Sequence, residues 1–378
     1  MAKNGLTKKA VSNIRKESKR KEYIKEVLKG REWYYLRSIL GYSWAMFYFL
    51  LGGREAGKSY SVTEFYVRQF VEKKRPFYWL RLSETSLKKL LQNNAEKLVD
   101  PDIRRRYNLD LVTNGNNVYN VIERSKPDKN GKTKIIKKVK MCTCLSLATF
   151  YNDKGSGLFD NEFLNDPDMY YNICLDEMNR EKNEKNSFDI LYSFVNQIEN
   201  LIRSTKTRVR IICIGNTLEE ASDLLCGFNF IPEEFGRFKL KSKRAVIEYI
   251  EPTEAYKKRR KGTVADILMP TASTFTNEIK ADNTLVDKSR KISPTQIIKF
   301  SKDKGDWFTI WDSKCVCKYN NEKGQHVIAM KPYLDELFDA KQRDNIISRF
   351  DLRSLTYKDL ITFKQFQKNI NLLKPRGN

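Results

Sequence analysis

The stretch Gly52-Gly53-Arg54-Glu55-Ala56-Gly57-Lys58-Ser59, GGREAGKS, decides the fold. Gly52, Gly57, Lys58 and Ser59 satisfy the pattern Gly-x4-Gly-Lys-Ser. Its glycines let the backbone curl to positive φ, so that successive N–H groups face one anion. A helix beginning near Lys58 aims its positive end at the same anion. Lys58 adds a compact charge for the β- and γ-phosphates, and the Ser59 hydroxyl is a hard oxygen ligand for Mg²⁺. Gly53, Arg54, Glu55, Ala56 and Tyr60 complete the expected nucleotide-binding run.

An eight-residue pattern also arises by chance, so its flanks matter. Ahead lies AMFYFLL (Ala45–Leu51), a continuous apolar run of the kind that forms a central parallel strand. Behind it, SYSVTEFYVRQFVE (Ser59–Glu72) spaces Val62, Phe65, Tyr66 and Phe70 as one face of a helix. Strand, glycine loop and helix follow in the order that phosphate binding requires.

The second half of such a site is Asp176-Glu177, closing the apolar strand NICLDE. Asp176 would hold Mg²⁺ and Glu177 would polarise the attacking water, which favours hydrolysis over transfer to a metabolite. Between the two motifs there is room for an intervening strand. The strand VRIICIG (Val209–Gly215) delivers Asn216, a candidate sensor of the γ-phosphate; an Asn after a strand is otherwise a turn residue. Just before it, LIRSTKTRVR offers Arg203, with Arg208 and Arg210 behind it, as an arginine able to reach a neighbouring subunit's γ-phosphate. A solvated or DNA-facing arginine is the alternative for each.

Further strands and helices alternate along the chain: PFYWLRL (Pro76–Leu82), a helix around Leu87–Leu98, and another over about Phe188–Arg203. The expected fold is therefore α/β around a central, mostly parallel sheet. Val118–Ile122 and Lys134–Cys144 read as two strands about an Asn-Gly turn. From Arg124 to Lys140 eight Lys or Arg face one Asp, so Lys126, Lys129, Lys132 and Lys134 are candidate DNA contacts, with a solvated hairpin as the alternative. The expected division is a basic arm over 1–40, an ATPase domain over 41–250, a basic linker or lid over 251–287 containing KKRRKG, and a second basic domain over 288–378.

The net charge of +24 points to a polyanionic partner. No run approaches the roughly 18 apolar residues of a membrane helix, and the basic start lacks a signal core, so a soluble protein without a membrane partner is expected. Seven cysteines with no CxxC and one histidine, His326, argue for buried thiols rather than a zinc site.

Taken in order, GGREAGKS, ICLDEMNREK and IRSTKTRVRIICIGN resemble the DNA-packaging (encapsidation) ATPases of small podophages of the phi29 type. These belong to the additional-strand, catalytic-glutamate (ASCE) class of P-loop motors, in its FtsK/HerA-like branch. The likeness is tightest from Asn172 to Asn216, where Arg-Glu-Lys follows Asp176-Glu177 after two residues, and looser in the basic linker and in KFSKDKGDWFTIW. It implies a homomeric ring, typically pentameric, on the portal of a procapsid in the host cytoplasm, hydrolysing ATP to drive double-stranded DNA inward. A packaging RNA joins the phi29-type motor to its portal. The resemblance also implies a second domain like an RNase H nuclease without its catalytic carboxylates. By position it gives phosphate and Mg²⁺ binding to Lys58 and Ser59, hydrolysis to Asp176 and Glu177, nucleotide sensing to Asn216, and a trans-acting finger to Arg203, with Ser204 the residue aligned after a one-residue slip. Lys154, in YNDKGSG, matches a second residue that acts across the interface. Other P-loop translocases, a nucleotide-gated nucleic-acid scaffold and a nuclease-bearing terminase are the competing readings. Helicase motifs are absent, and the acids at Asp303, Asp306 and Asp312 lack metal-ligand spacing.

Overall fold

The computed structural model describes residues 31–149, 170–179, 188–202, 208–216, 222–232, 234–268, 270, 296–299, 306–311, 314–319, 340–352, 356–357, 363 and 367. The chain divides into two compact units, one of Met1–Thr217 with Glu234–Glu278, the other of Leu218–Glu233 with Ile279–Asn378.

The first unit is built on a nine-stranded sheet. Its strands are β1 (Phe47–Gly52), β2 (Phe77–Arg81), β3 (Leu111–Asn114), β4 (Asn117–Arg124), β5 (Ile135–Ser146), β6 (Tyr170–Asp176), β7 (Arg208–Asn216), β8 (Gly236–Leu240) and β9 (Ala245–Tyr249). They lie in the order β3-β4-β5-β2-β6-β7-β1-β9-β8. The pairs from β5 through β9 are parallel, while β3, β4 and β8 add antiparallel edges. The additional strand is thus present: β7 lies between the phosphate-loop strand β1 and the acid strand β6.

The apolar runs form the central strands because both faces are covered, which leaves no place for alternation. Tyr48, Phe49, Leu50 and Leu51 of β1 are all buried, as are Ile211 to Ile214 of β7. Helix α1 (Lys58–Lys73) lays Val62, Tyr66 and Phe70 on one face, where they join Trp79, Cys174 and Ile212 in the core. Helix α4 (Ile190–Ile202) covers the other face, with Phe194 against Phe47. Two short helices, α2 (Glu84–Ala95) and α3 (Pro101–Arg106), fill the β2–β3 crossover. Cys142, Cys144, Cys174 and Cys213 are free and buried, and no metal-binding group occurs among the described residues.

Two stretches outside the sheet bear on the phosphate loop. In the last part of the basic arm Leu36 and Ile39 are buried within the first unit. The basic run after β9, expected as linker or lid, begins with a helix. Residues Glu254–Arg260 form a helix (α6), capped by Thr253, in which Tyr256 and Arg260 are buried.

In the second unit a helix (α5, Asp223–Gly227), four strands, β10 (Gln296–Lys299), β11 (Asp306–Trp311), β12 (Lys314–Tyr319) and β13 (Thr356–Tyr357), and a helix over Ala340–Asp351 are described. The sheet order is β10-β11-β12-β13, antiparallel except for the last pair. No helix among the described residues is long and apolar enough to cross a membrane.

Candidate functional site

Parallel strands end together, and here the ends of β1, β2, β6 and β7 bring four sequence-distant groups to one place. The register aligns Gly52 with Asn216 and Asp176 with Ile214. From β1 the chain enters the glycine loop, where Glu55 (φ 61°) and Gly57 (φ 82°) take the left-handed conformation. Gly57 is the residue that caps α1, so the loop's N–H groups and the helix N-terminus share one concavity.

Lys58 is buried, and its Nζ donates to the carbonyls of Gly52 (2.9 Å) and Gly53 (2.6 Å). Burial pulls its pKa from 10.5 down to about 8, against the opposing pull of Asp176. Ser59 Oγ donates to Asp176 Oδ1 at 3.0 Å. Asp176 is buried; desolvation raises its pKa, and the Arg81 guanidinium opposes the rise. Tyr60, next in line, turns its hydroxyl to Asp102 (2.7 Å) on α3, within 3.3 Å of Arg106.

Arg81, the last residue of β2, completes the site and was not singled out from the sequence. One arm of its guanidinium meets Asp176 Oδ2 at 2.8 Å and the other is ion-paired to Glu177. Arg81 is almost wholly enclosed, whereas the Glu177 side chain is 56% exposed. Glu177 leaves β6 at φ 59°, a left-handed turn that a non-glycine residue adopts only under constraint. The constraint is visible next door: Met178 N donates to Ile214 O (2.9 Å), tying the turn to β7. Gly215 makes room for it, since a Cβ there would lie 2.9 Å from both Asn179 Nδ2 and Met178 Cε.

The loop's outer side is held by two further stretches. Tyr34 N donates to Ala56 O (2.9 Å) and Ser61 Oγ to Tyr34 O (2.7 Å). From α6, Tyr256 donates to Arg54 O (2.9 Å), Arg259 to Glu55 O (2.5 Å) and Arg260 to Glu55 Oε2 (2.8 Å).

Of the arginines weighed from sequence, Arg203 lies outside the described residues, as does Lys154. Arg208 and Arg210 begin β7, at the end opposite Asn216. Arg210 binds Asn172 Oδ1 (3.2 Å) and stacks on Tyr170, contacts made within its own chain.

The basic hairpin forms as read. β4 and β5 pair antiparallel, and Asp128 folds the tip by accepting from the N–H groups of Asn130 and Lys132 (both 2.8 Å). Ser125 and Lys134 close it from below through the bond from Ser125 N to Lys134 O (2.8 Å). The tip's one carboxylate is thereby committed to the backbone, and Lys126, Lys129, Lys132 and Lys134 all point into solvent.

No protein-family model and no curated protein sequence matches the chain. Solved structures do. The viral genome packaging motor assembly of bacteriophage phi29 superposes over 91% of this chain and 100% of its own, with a TM-score of 0.55 at 17% identity. The DNA packaging motor of phi28 covers 92% of this chain and 99% of its own, with a TM-score of 0.56 at 14% identity. The chain has the fold of the phage DNA-packaging ATPases. The coverage spans both units rather than the phosphate-loop sheet alone, and the strand order β9-β1-β7-β6-β2 is the P-loop arrangement with one strand added between loop and acids.

Proposed function

We propose that the chain is an ATP-hydrolysing motor that drives double-stranded viral DNA into a procapsid through its portal, working as a homomeric ring in the host cytoplasm. The observation that carries this is the convergence of Lys58, Ser59, Asp176, Arg81 and Glu177 at the strand ends, one carboxylate buried and one exposed beside a phosphate loop. A scaffold that merely bound nucleotide would need the loop and no exposed glutamate next to it.

In this reading Lys58 exchanges the carbonyls of Gly52 and Gly53 for the β- and γ-phosphates. The Ser59 hydroxyl and the buried Asp176 carboxylate, 3.0 Å apart, are a hard-oxygen pair suited to Mg²⁺. Bound there, Mg²⁺ would neutralise charge on the phosphates. Glu177 takes the proton of the attacking water. While Arg81 grips it, that carboxylate is engaged, so opening of the Arg81–Glu177 pair is a step of activation. Asn216, level with Gly52, reads the γ-phosphate from β7.

The finer assignments rest on the resemblance and on charge. Arg203 and Lys154 act on the neighbouring subunit's nucleotide in a ring of five, and a packaging RNA bridges ring and portal. The lysines of the hairpin tip grip DNA phosphates without reading sequence. Residues 1–40, 41–250, 251–287 and 288–378 serve as arm, ATPase domain, linker or lid and nucleic-acid-binding domain, the last a vestigial RNase H-like nuclease fold.

The test is ATP turnover with and without double-stranded DNA. DNA should stimulate it, and Glu177→Gln should still bind ATP while turnover falls by about 10²- to 10⁴-fold. Turnover indifferent to DNA, or a fully active Gln variant, would sink the proposal.

A further inference from the structure

Two stretches with no part in the hydrolytic chemistry meet at the phosphate loop. The sheet order puts them opposite the reacting end: β7 and β6, which carry Asn216 and the acids, lie on one side of β1, and β9, which leads into α6, lies on the other. A triphosphate whose γ-end faces Asp176 and Glu177 therefore directs its nucleoside toward α6 and residues 31–34.

What stands there is a tryptophan. Trp33 packs its edge where Gly57 has no side chain, and a Cβ on Gly57 would lie 3.1 Å from Trp33 Cε3. The neighbouring Tyr34–Ala56 backbone bond fixes the chain at that point. On one face of the indole lies the Arg259 guanidinium, 3.9 Å from the ring centroid, itself held by Glu32 (3.0 Å) and by the Glu55 carbonyl (2.5 Å). Yet Trp33 remains 50% exposed. An indole held along one edge and over one face, half open to water and beside the phosphate loop, has the form of a stacking surface. Bases stack on aromatic rings and guanidinium planes alike.

We propose that Trp33, backed by Arg259, is the platform on which the base of the bound nucleoside triphosphate stacks. The proposal rests on the nucleotide-hydrolysis reading above and assigns the part of that site which recognises the nucleoside. Stacking measures ring area rather than edge pattern, so the platform favours purine over pyrimidine triphosphates.

The experiment compares the Mg²⁺-dependent affinities of the full chain for ATP, CTP and inorganic tripolyphosphate. The variants are Trp33→Ala, Trp33→Leu, which still packs against Gly57 but offers no π face, and Trp33→Phe. Expected are ATP bound more tightly than CTP, an ATP affinity about tenfold weaker in the Ala and Leu variants, and most of it kept by Phe. Tripolyphosphate should bind all four proteins equally. Equal losses for ATP and tripolyphosphate would show that Trp33 only props the loop and would overturn the platform, as would ATP affinity unchanged in Trp33→Leu. Failure of the unsubstituted protein to bind ATP and tripolyphosphate would overturn the nucleotide reading itself. Binding of both with equal affinity would overturn only the platform.

Discussion

Raising the pH above 8 should loosen nucleotide at this site, well below the range in which an exposed lysine titrates. Lys58 is the cause. Burial brings its pKa from 10.5 to about 8, a difference worth roughly 3 kcal/mol at about 1.4 kcal/mol per pH unit. The folded protein releases this proton near pH 8 and the unfolded chain near 10.5. Between those values the unfolded state binds more protons, so this residue's contribution makes the protein more stable as pH rises. Below about pH 8 both states are protonated and the fold carries the whole burial cost. Phosphate reverses the preference, because it binds the ammonium and not the amine. Affinity for ATP should then fall about tenfold for each pH unit above 8 until the bound-state pKa is reached. Titration calorimetry between pH 7.5 and 9.5, in buffers of different protonation enthalpy, should show proton uptake on binding. Lys58→Arg should abolish the slope, since a guanidinium stays charged throughout, at the expense of affinity at pH 7.5. An affinity that is flat across the range and blind to buffer would refute the argument.

Arg81→Ala should lower thermal stability by about 3–5 kcal/mol, because it leaves the buried Asp176 without its counter-charge. Thermal melts check this. Replacing Lys126, Lys129, Lys132 and Lys134 together by Ala should weaken double-stranded DNA binding and flatten the slope of log affinity against log salt by about 3–4, read by fluorescence anisotropy at several salt concentrations. Unchanged salt dependence would remove the hairpin from the DNA path. Gly215→Ala should cost under about 1.5 kcal/mol, since the atoms its methyl would meet, Asn179 Nδ2 and Met178 Cε, are the far ends of side chains that can turn aside, and chemical denaturation measures it.

What the sequence disclosed was whatever lies close together along it. GGREAGKS, the Asp176-Glu177 doublet and the Asn-Gly hairpin each contain their own geometry, and the structure has the sheet and hairpin that they imply. Arg81 was hidden for the opposite reason. It is an arginine ending the apolar strand FYWLR, and only the parallel pairing of β2 with β6 brings it to the two acids. The available signal was a charge at the end of a strand otherwise built for full burial, which calls for a partner. Charge was less telling at Tyr256-Lys257-Lys258-Arg259-Arg260. Five basic residues in KKRRKG read as linker or lid, and that reading does not separate Arg259 and Arg260, fastened to the loop, from Lys257 and Lys258, which face water. Composition cannot separate a helix's two faces.

The fastening of α6 to Glu55 joins the phosphate loop to a helix outside it. Glu55 holds a left-handed backbone within the phosphate loop, and its carbonyl and carboxylate are both gripped by the helix from which the chain continues toward the second unit. Binding equilibria of this kind are reciprocal. If triphosphate shifts Glu55, it changes the hold on α6 by a definite free energy, and tension on α6 must return the same free energy as altered nucleotide affinity. A motor made on this plan would sense its load at the phosphate loop, with a stalled substrate changing how tightly each subunit keeps its fuel.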